Sequence, residues 1–232
     1  MNVLEVDQRR LHKSVTLWTV RLGEDSFRVV SPILSLVGCL RSLHHREHSW
    51  ETVPVPGLDP VTVRMVQVVD QFRRVLGLDE EQIRAGAASR FSSRRLGRIL
   101  ALSSPLAESP KETELRLLIH QITSDLGATL LEQVPVYKNG QVGAPGTRDD
   151  GAELLTIIDI ADVPRMIAFM YDGEHHLDRA QRDLDARITA ELTRRGWLVI
   201  RVSAGMLRDT KEITRQIRES FLARAEFGRM VG

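Results

Sequence analysis

Asp159 stands inside "TIIDIAD", a stretch otherwise apolar around it. A carboxylate in such surroundings is costly unless it is paired, hydrogen-bonded or bound to a metal. A second apolar run, "RMIAFMY", ends abruptly in Asp172 and Gly173, followed by Glu174, His175 and His176. Side chains alternate along a strand, so Met170 and Asp172 share one face. If the two runs pair as a hairpin around Val163-Pro164, Asp159 lies close to the end of the second. Glu112, early in the preceding helical stretch, can reach the same sheet edge. Carboxylates and an imidazole around one point suit Mg²⁺ (or Mn²⁺), which prefers oxygen ligands and keeps several waters. Such a cation generates hydroxide and stabilises charge on a phosphate undergoing hydrolysis.

The elements that would position these groups can be read from periodicity. Leu115, Leu118, Ile119 and Ile122 predict a helix over about 110–125. "LLEQVPVY" alternates as a strand, and "YKNGQVGAPGTRDDG" is a loop whose Asn-Gly favours a tight turn. Two β-rich runs follow around Val163-Pro164. A helix over about 178–195 carries Leu184, Ile188 and Leu192 on one stripe and stops at Gly196. "WLVIRVS" reads as a buried strand, and Ile213, Ile217 and Phe221 mark a closing helix. The order is α-β-β-β-α-β-α. Before it, residues 15–22 and 26–30 flank "GED" as a hairpin. Helical patterns occupy about 32–43, 60–76, 79–88 and 90–102. "SSPLAESP" is the best linker, dividing a module over 1–103 from a domain over 104–232.

Composition narrows the class. The 232 residues are 42% hydrophobic and 27% charged, as in an ordinary globular protein, and the net charge of +1 announces no global basic field. Only four basic residues are lysines (Lys13, Lys111, Lys138 and Lys211), a bias expected of GC-rich coding in a bacterium or its phage. The single cysteine, Cys39, excludes an internal disulfide and fits the cytoplasm. No apolar run reaches membrane-spanning length, so no membrane partner is expected.

Four separated pieces, "ESPKETELRLLI", "IIDIAD", "MYDGEHH" and "DLDARITAELTRRGWLVIRV", carry a resemblance. In that order and spacing they resemble an actinobacterial domain-of-unknown-function family. That family is related to the very-short-patch-repair endonuclease within the restriction-endonuclease-like, or PD-(D/E)XK, superfamily. The resemblance covers about 104–226 and, more weakly, a preceding helical segment. It implies an α/β fold with a restriction-endonuclease-like αβββαβ core, a mixed sheet flanked by helices, after a mostly helical module with a β-hairpin. It also implies Mg²⁺- or Mn²⁺-dependent hydrolysis of DNA phosphodiester bonds. Asp159 and Glu112 would hold the metal with the backbone carbonyl of Tyr171. Asp172 or His176 would orient or deprotonate water, and Arg187 would contact phosphate. Asp185 matches a further polar position of that helix. One departure matters: the family usually carries glutamate where this chain has Met170, and a thioether cannot replace a carboxylate on Mg²⁺. Very-short-patch-repair enzymes also lack that glutamate. The rival expectation is therefore a catalytically impaired nuclease fold that binds DNA or, through the N-terminal module, a protein partner. Longer relatives begin with a winged helix-turn-helix like that of antitoxins, which adds a regulator of toxin–antitoxin or phage-defence systems as a third reading.

Plainer roles stand beside these. Ser109-Pro110-Lys111-Glu112 reads as a capping box. Asp172-Gly173 can simply close a strand, and His176 can be a solvated loop residue. Arg94 and Arg98, one helical turn apart in "RFSSRRLGRILA", either neutralise phosphates or form a solvated face. His44, His45 and His48 have metal-like spacing without an acidic neighbour and read as polar surface, and Cys39 reads as core packing.

Overall fold

The computed structural model describes residues 17–22, 24–149, 151–173 and 179–231. Strands β1 (Leu17–Leu22) and β2 (Asp25–Val30) pair antiparallel as the expected hairpin. Four helices follow: α1 (Pro32–His44), α2 (Pro60–Leu76), α3 (Glu80–Ala87) and α4 (Ser93–Leu102). Their ends are chemically marked. Asp59 caps α2 by accepting from the N–H groups of Val61 and Thr62, each at 3.0 Å, while Gly77 ends it with φ 64°, a conformation glycine adopts without steric cost. Asp79 and Gln82 form a reciprocal capping box on α3.

Helix α3 meets α1 at a glycine. A Cβ on Gly86 would stand 1.7 Å from Cγ2 of Ile33. Gly86→Ala is therefore expected to force the two helices apart and cost about 2 kcal/mol despite alanine's better helix propensity. A lower urea midpoint at unchanged slope would verify this; a neutral or stabilising result would show that Ile33 simply rotates away.

The second half builds α5 (Pro110–Thr123), β3 (Leu130–Tyr137), β4 (Leu154–Asp162), β5 (Ile167–Asp172), α6 (Arg179–Arg194) and β6 (Leu198–Ser203). A short α7 (Ala204–Arg208) and a long α8 (Thr210–Val231) close it. The four strands form one mixed sheet in the order β3-β4-β5-β6, antiparallel except for the parallel β5–β6 pair. One face, with Ile160, Phe169 and Val202, packs towards α5 and α8; the other, with Val134, Ile158, Ala168 and Met170, packs on Leu192 of α6 and on Trp197. Strand β6 lies at the sheet's edge, so most of its residues are half-buried rather than buried as its apolar run predicts. Cys39 is also a correction. It lies on the outward side of α1, whose buried stripe is Leu36, Val37, Leu40 and Leu43, and it is exposed.

Packing runs across the 103/104 boundary. A single apolar cluster extends from Leu36 on α1 through Val66 on α2 and Leu118 on α5 to Phe169 on β5. Helix α5 is buried almost all round, and its polar residues are matched accordingly. Asp70 of α2, fully buried, accepts from the Ser104 N–H at 2.8 Å, the Thr113 hydroxyl at 2.8 Å and the Arg116 guanidinium at 2.7 Å. Glu114 accepts from Gln67 of α2 at 2.8 Å and from Lys111 at 2.8 Å.

Candidate active site

Strands β4 and β5 pair at Ile160↔Phe169, Ala161↔Ala168 and Asp162↔Ile167. Two residues beyond Phe169 on β5, the partner of a strand N–H is a side chain instead: Tyr171 donates to Asp159 Oδ2 at 2.6 Å. On the other flank Gln133 of β3 lies opposite Asp159, between the paired positions Glu132↔Ile160 and Val134↔Ile158. Gln133 has φ 49°, a left-handed conformation that costs a non-glycine residue about 1–2 kcal/mol. Side-chain alternation slips at this level on both strands. Leu131 and Val134 reach the α6 side, as do Ile158 and Ala161, whereas Ile160 reaches the α5 side. A pleated strand places residues three apart on opposite faces, so the slip is what lets Asp159 leave the ladder.

Glu112 completes the group. The Gln133 amide donates to Asp159 Oδ1 at 3.4 Å and to Glu112 Oε2 at 3.3 Å, bridging the two carboxylates. Glu112 also serves the helix end. Its N–H donates to Ser109 Oγ at 3.2 Å, and its carboxylate accepts from the Ser109 hydroxyl at 3.0 Å and the Glu108 N–H at 2.9 Å. The expected capping box is thus met in altered form, with the Glu108 amide served in place of the Ser109 amide.

The electrostatics are those of excess negative charge. Burial pushes the Asp159 carboxyl up to about 7, and the charges of Glu112 and Glu108 add to that push; the bonds from Tyr171 and Gln133 oppose it. Burial also raises Glu112, and the Glu108 charge adds to it. Glu132, on the same flank, is raised by burial with contributions from Asp70 and Glu112. Arg74 is the nearby cation acting on Glu112, and it is ion-paired with Glu108. Among the described residues Asp159 has no ion-pair partner.

Of the residues singled out by sequence, the structure brings Asp159, Glu112 and Tyr171 together. An extended residue's N–H and C=O point to the same side, which puts the Tyr171 carbonyl towards Asp159. Asp172 is held by an arginine. Arg201 of β6 holds it through two contacts, one from Nε to Oδ2 at 2.9 Å, and Arg201 also lies 3.5 Å from Asp185. Met170 is buried in the apolar layer against α6. Arg187 lines a recess with Lys138, Leu184, Glu191 and Arg195 that includes neither Asp159 nor Glu112. Arg98 lines another cleft in the N-terminal helices, and Arg94 is exposed beside it. His176, with Glu174 and His175, lies outside the described residues. His44 contacts Arg95, and His48 Nδ1 is 2.6 Å from the Ser42 hydroxyl, so the three-histidine spacing is taken up by separate polar contacts. Gln133 and Arg201 are the site residues that sequence reasoning misses. Arg201 carries the same signal as Asp159, a charge interrupting the apolar run "WLVIRVS".

Among the described residues, no group of three or more His, Cys, Asp or Glu side chains is arranged to hold a metal ion. Two carboxylates and a carbonyl still fit Mg²⁺ or Mn²⁺, which are commonly held by one or two carboxylates, with waters and substrate phosphates filling the remaining positions. Comparison with family models, with curated proteins and with solved structures returns no match.

Proposed function

We propose that the chain is a metal-dependent DNA endonuclease whose centre is the Asp159–Glu112 pair. The observation that supports this best is a half-buried carboxyl raised to about 7, lacking an ion-pair partner among the described residues and lying beside a second carboxylate where two strands part. Asp159, Glu112 and the Tyr171 carbonyl would hold Mg²⁺ or Mn²⁺, which supplies an activated water and a counter-charge for phosphate. Gln133 keeps the two carboxylates in register, and the Tyr171 N–H holds one oxygen of Asp159, leaving the other the freer to act. The restriction-endonuclease-like core, implied by the motifs, accords with the mixed four-stranded sheet and its flanking helices.

The test is plasmid nicking with Mg²⁺, Mn²⁺ or chelator, comparing wild type with Asp159→Ala. Cutting that needs the cation and vanishes in the variant supports the hydrolase. Because cation and proton compete for Asp159, activity is expected to fall about tenfold per pH unit below 7. A flat profile from pH 5.5 to 7 at a fixed, sub-saturating cation concentration, with about equal rates, would remove Asp159 from the chemistry.

A second reading has its own observation. Met170 stands where the resemblance expects a carboxylate, and it is buried against α6 while Asp172 is engaged by Arg201. On this reading the fold retains DNA or partner binding without cleavage. A Met170→Glu variant that gains cation-dependent cutting would identify a decayed site.

A further inference from the structure

Some arginines of this chain are committed to acids and others are not. Arg84, Arg116, Arg165, Arg201 and Arg215 are each matched to Asp or Glu. Others, Arg64, Arg73, Arg148 and Arg187 among them, make no ion pair within the described residues, and six of these others are Arg41, Arg46, Arg90, Arg94, Arg95 and Arg98. All six belong to one region, the end of α1 with the turn after it and the start of α4.

Five of them line two adjoining recesses, and Arg94 is exposed on the first turn of α4 beside them. A cleft of about 740 Å³ contains Arg46, Arg95 and Arg98 with His44. A neighbouring recess contains Arg41, Arg90 and Arg95 with the hydroxyl residues Ser89 and Ser92. Arg95 and His44 belong to both. The cleft's single acid, Asp59, is occupied at the start of α2, where its carboxylate accepts from two N–H groups and from the Thr62 hydroxyl at 2.6 Å. Arg94 and Arg95 also sit in the first turn of α4, where the helix dipole favours negative charge and disfavours theirs. Like charges gathered against a dipole and left without acids cost stability unless an anion completes them.

We propose that these two recesses together are a track for the phosphate backbone of duplex DNA. Guanidinium forks match phosphate oxygens in pairs, and serine hydroxyls are common phosphate donors. Two joined recesses suit a polymer better than one free phosphate. Helix α4 is about 15 Å long, the rise of roughly four nucleotides of one strand. The proposal rests on the DNA reading above and extends it from the reacting centre to a separate holding surface.

Anisotropy of a labelled duplex, with chelator present to prevent cutting, tests it. The Arg95→Ala/Arg98→Ala double variant is expected to bind at least about tenfold more weakly and to lower the salt slope by about two. Asp159→Asn is expected to bind as wild type does. Both arginines are exposed and their charges are unfavourable in the free protein, so the thermal midpoint should hold or rise slightly. Unchanged affinity and slope in the double variant, or no duplex binding by wild type at about 50 mM salt, would overturn the track. Tighter binding of duplex RNA would overturn the DNA assignment. Track-dependent binding without cation-dependent cutting keeps this proposal and sinks the hydrolase; cutting that persists undiminished in the double variant does the reverse.

Discussion

Asp159→Asn should make the protein more stable above pH 7, while removing the cation-dependent cutting proposed above. A carboxylate raised from an ordinary value near 3.8 to about 7 binds its proton more tightly in the folded chain than in the unfolded one. Folded-state stability from this group is therefore fully present below the unfolded value and is lost as pH climbs from about 4 to 7. Above 7 the folded chain carries a charge it resists. The whole interval corresponds to about 4 kcal/mol, and partial solvent access reduces the realised gain towards about 2 kcal/mol. Asparagine cannot ionise, yet its carbonyl can still accept from the Tyr171 N–H. Urea titrations at pH 4.5 and 8 should show near equality at the first and a clear gain for the variant at the second. Added Mg²⁺ should raise wild type at pH 8 and leave the Asp159→Asn variant unmoved, because the cation relieves the same repulsion that the substitution removes. A variant that is less stable at pH 8, with wild type indifferent to Mg²⁺, would reduce Asp159 to a structural acceptor.

Asp70→Ala should be the most damaging single change outside the apolar core. It strips the buried Arg116 guanidinium of its closest counter-charge and leaves the Ser104 N–H and Thr113 hydroxyl without their acceptor. Removing one member of a buried pair typically costs about 3–5 kcal/mol, about a fifth or more of the stability of an ordinary domain. Glu132, 3.3 Å from Arg116 Nε, gives only partial compensation, since burial already raises its carboxyl. An Asp70→Leu/Arg116→Met pair should recover part of the loss, because two apolar side chains need no desolvated charge, while the Ser104 N–H and Thr113 hydroxyl still lack their acceptor and Glu132 loses its cation. Urea midpoints of the three variants measure this. Equal losses in Asp70→Ala and in the double variant would mean that packing, not charge, dominates between α2 and α5.

Several features can be read directly from residue order. Pro60 to Leu76 is visible as a helix because its start and stop are local chemistry, an Asp-Pro entry and a glycine exit. The β1–β2 hairpin and the alternation of β3 follow from near-neighbour patterns. Asp159 stands out because a charge within an apolar strand demands an explanation, and Glu112 because helix starts are acidic. Gln133 is invisible. Nothing in "LLEQVPVY" announces a left-handed residue, since that conformation is imposed by β4 beside it. The fate of Asp172 is equally hidden, because its partner lies at Arg201, across a parallel strand pair. Cys39 misleads because an apolar helix looks buried until its packed stripe is known.

Residue order by itself determined the succession of elements, the caps that begin and end them, and the short list of charges that cannot rest in apolar surroundings. These depend on interactions within a few positions, where the chain leaves little choice. Tertiary structure alone decided which of those charges meet. It joined Asp159 to Glu112 through Gln133, paired Asp172 with Arg201, and gathered five arginines without ion pairs along two adjoining recesses. The physical reason is that charge pairing and burial are set by distances in space. The energy of a carboxylate depends on what lies within a few ångströms of it, whichever part of the chain supplies that neighbour.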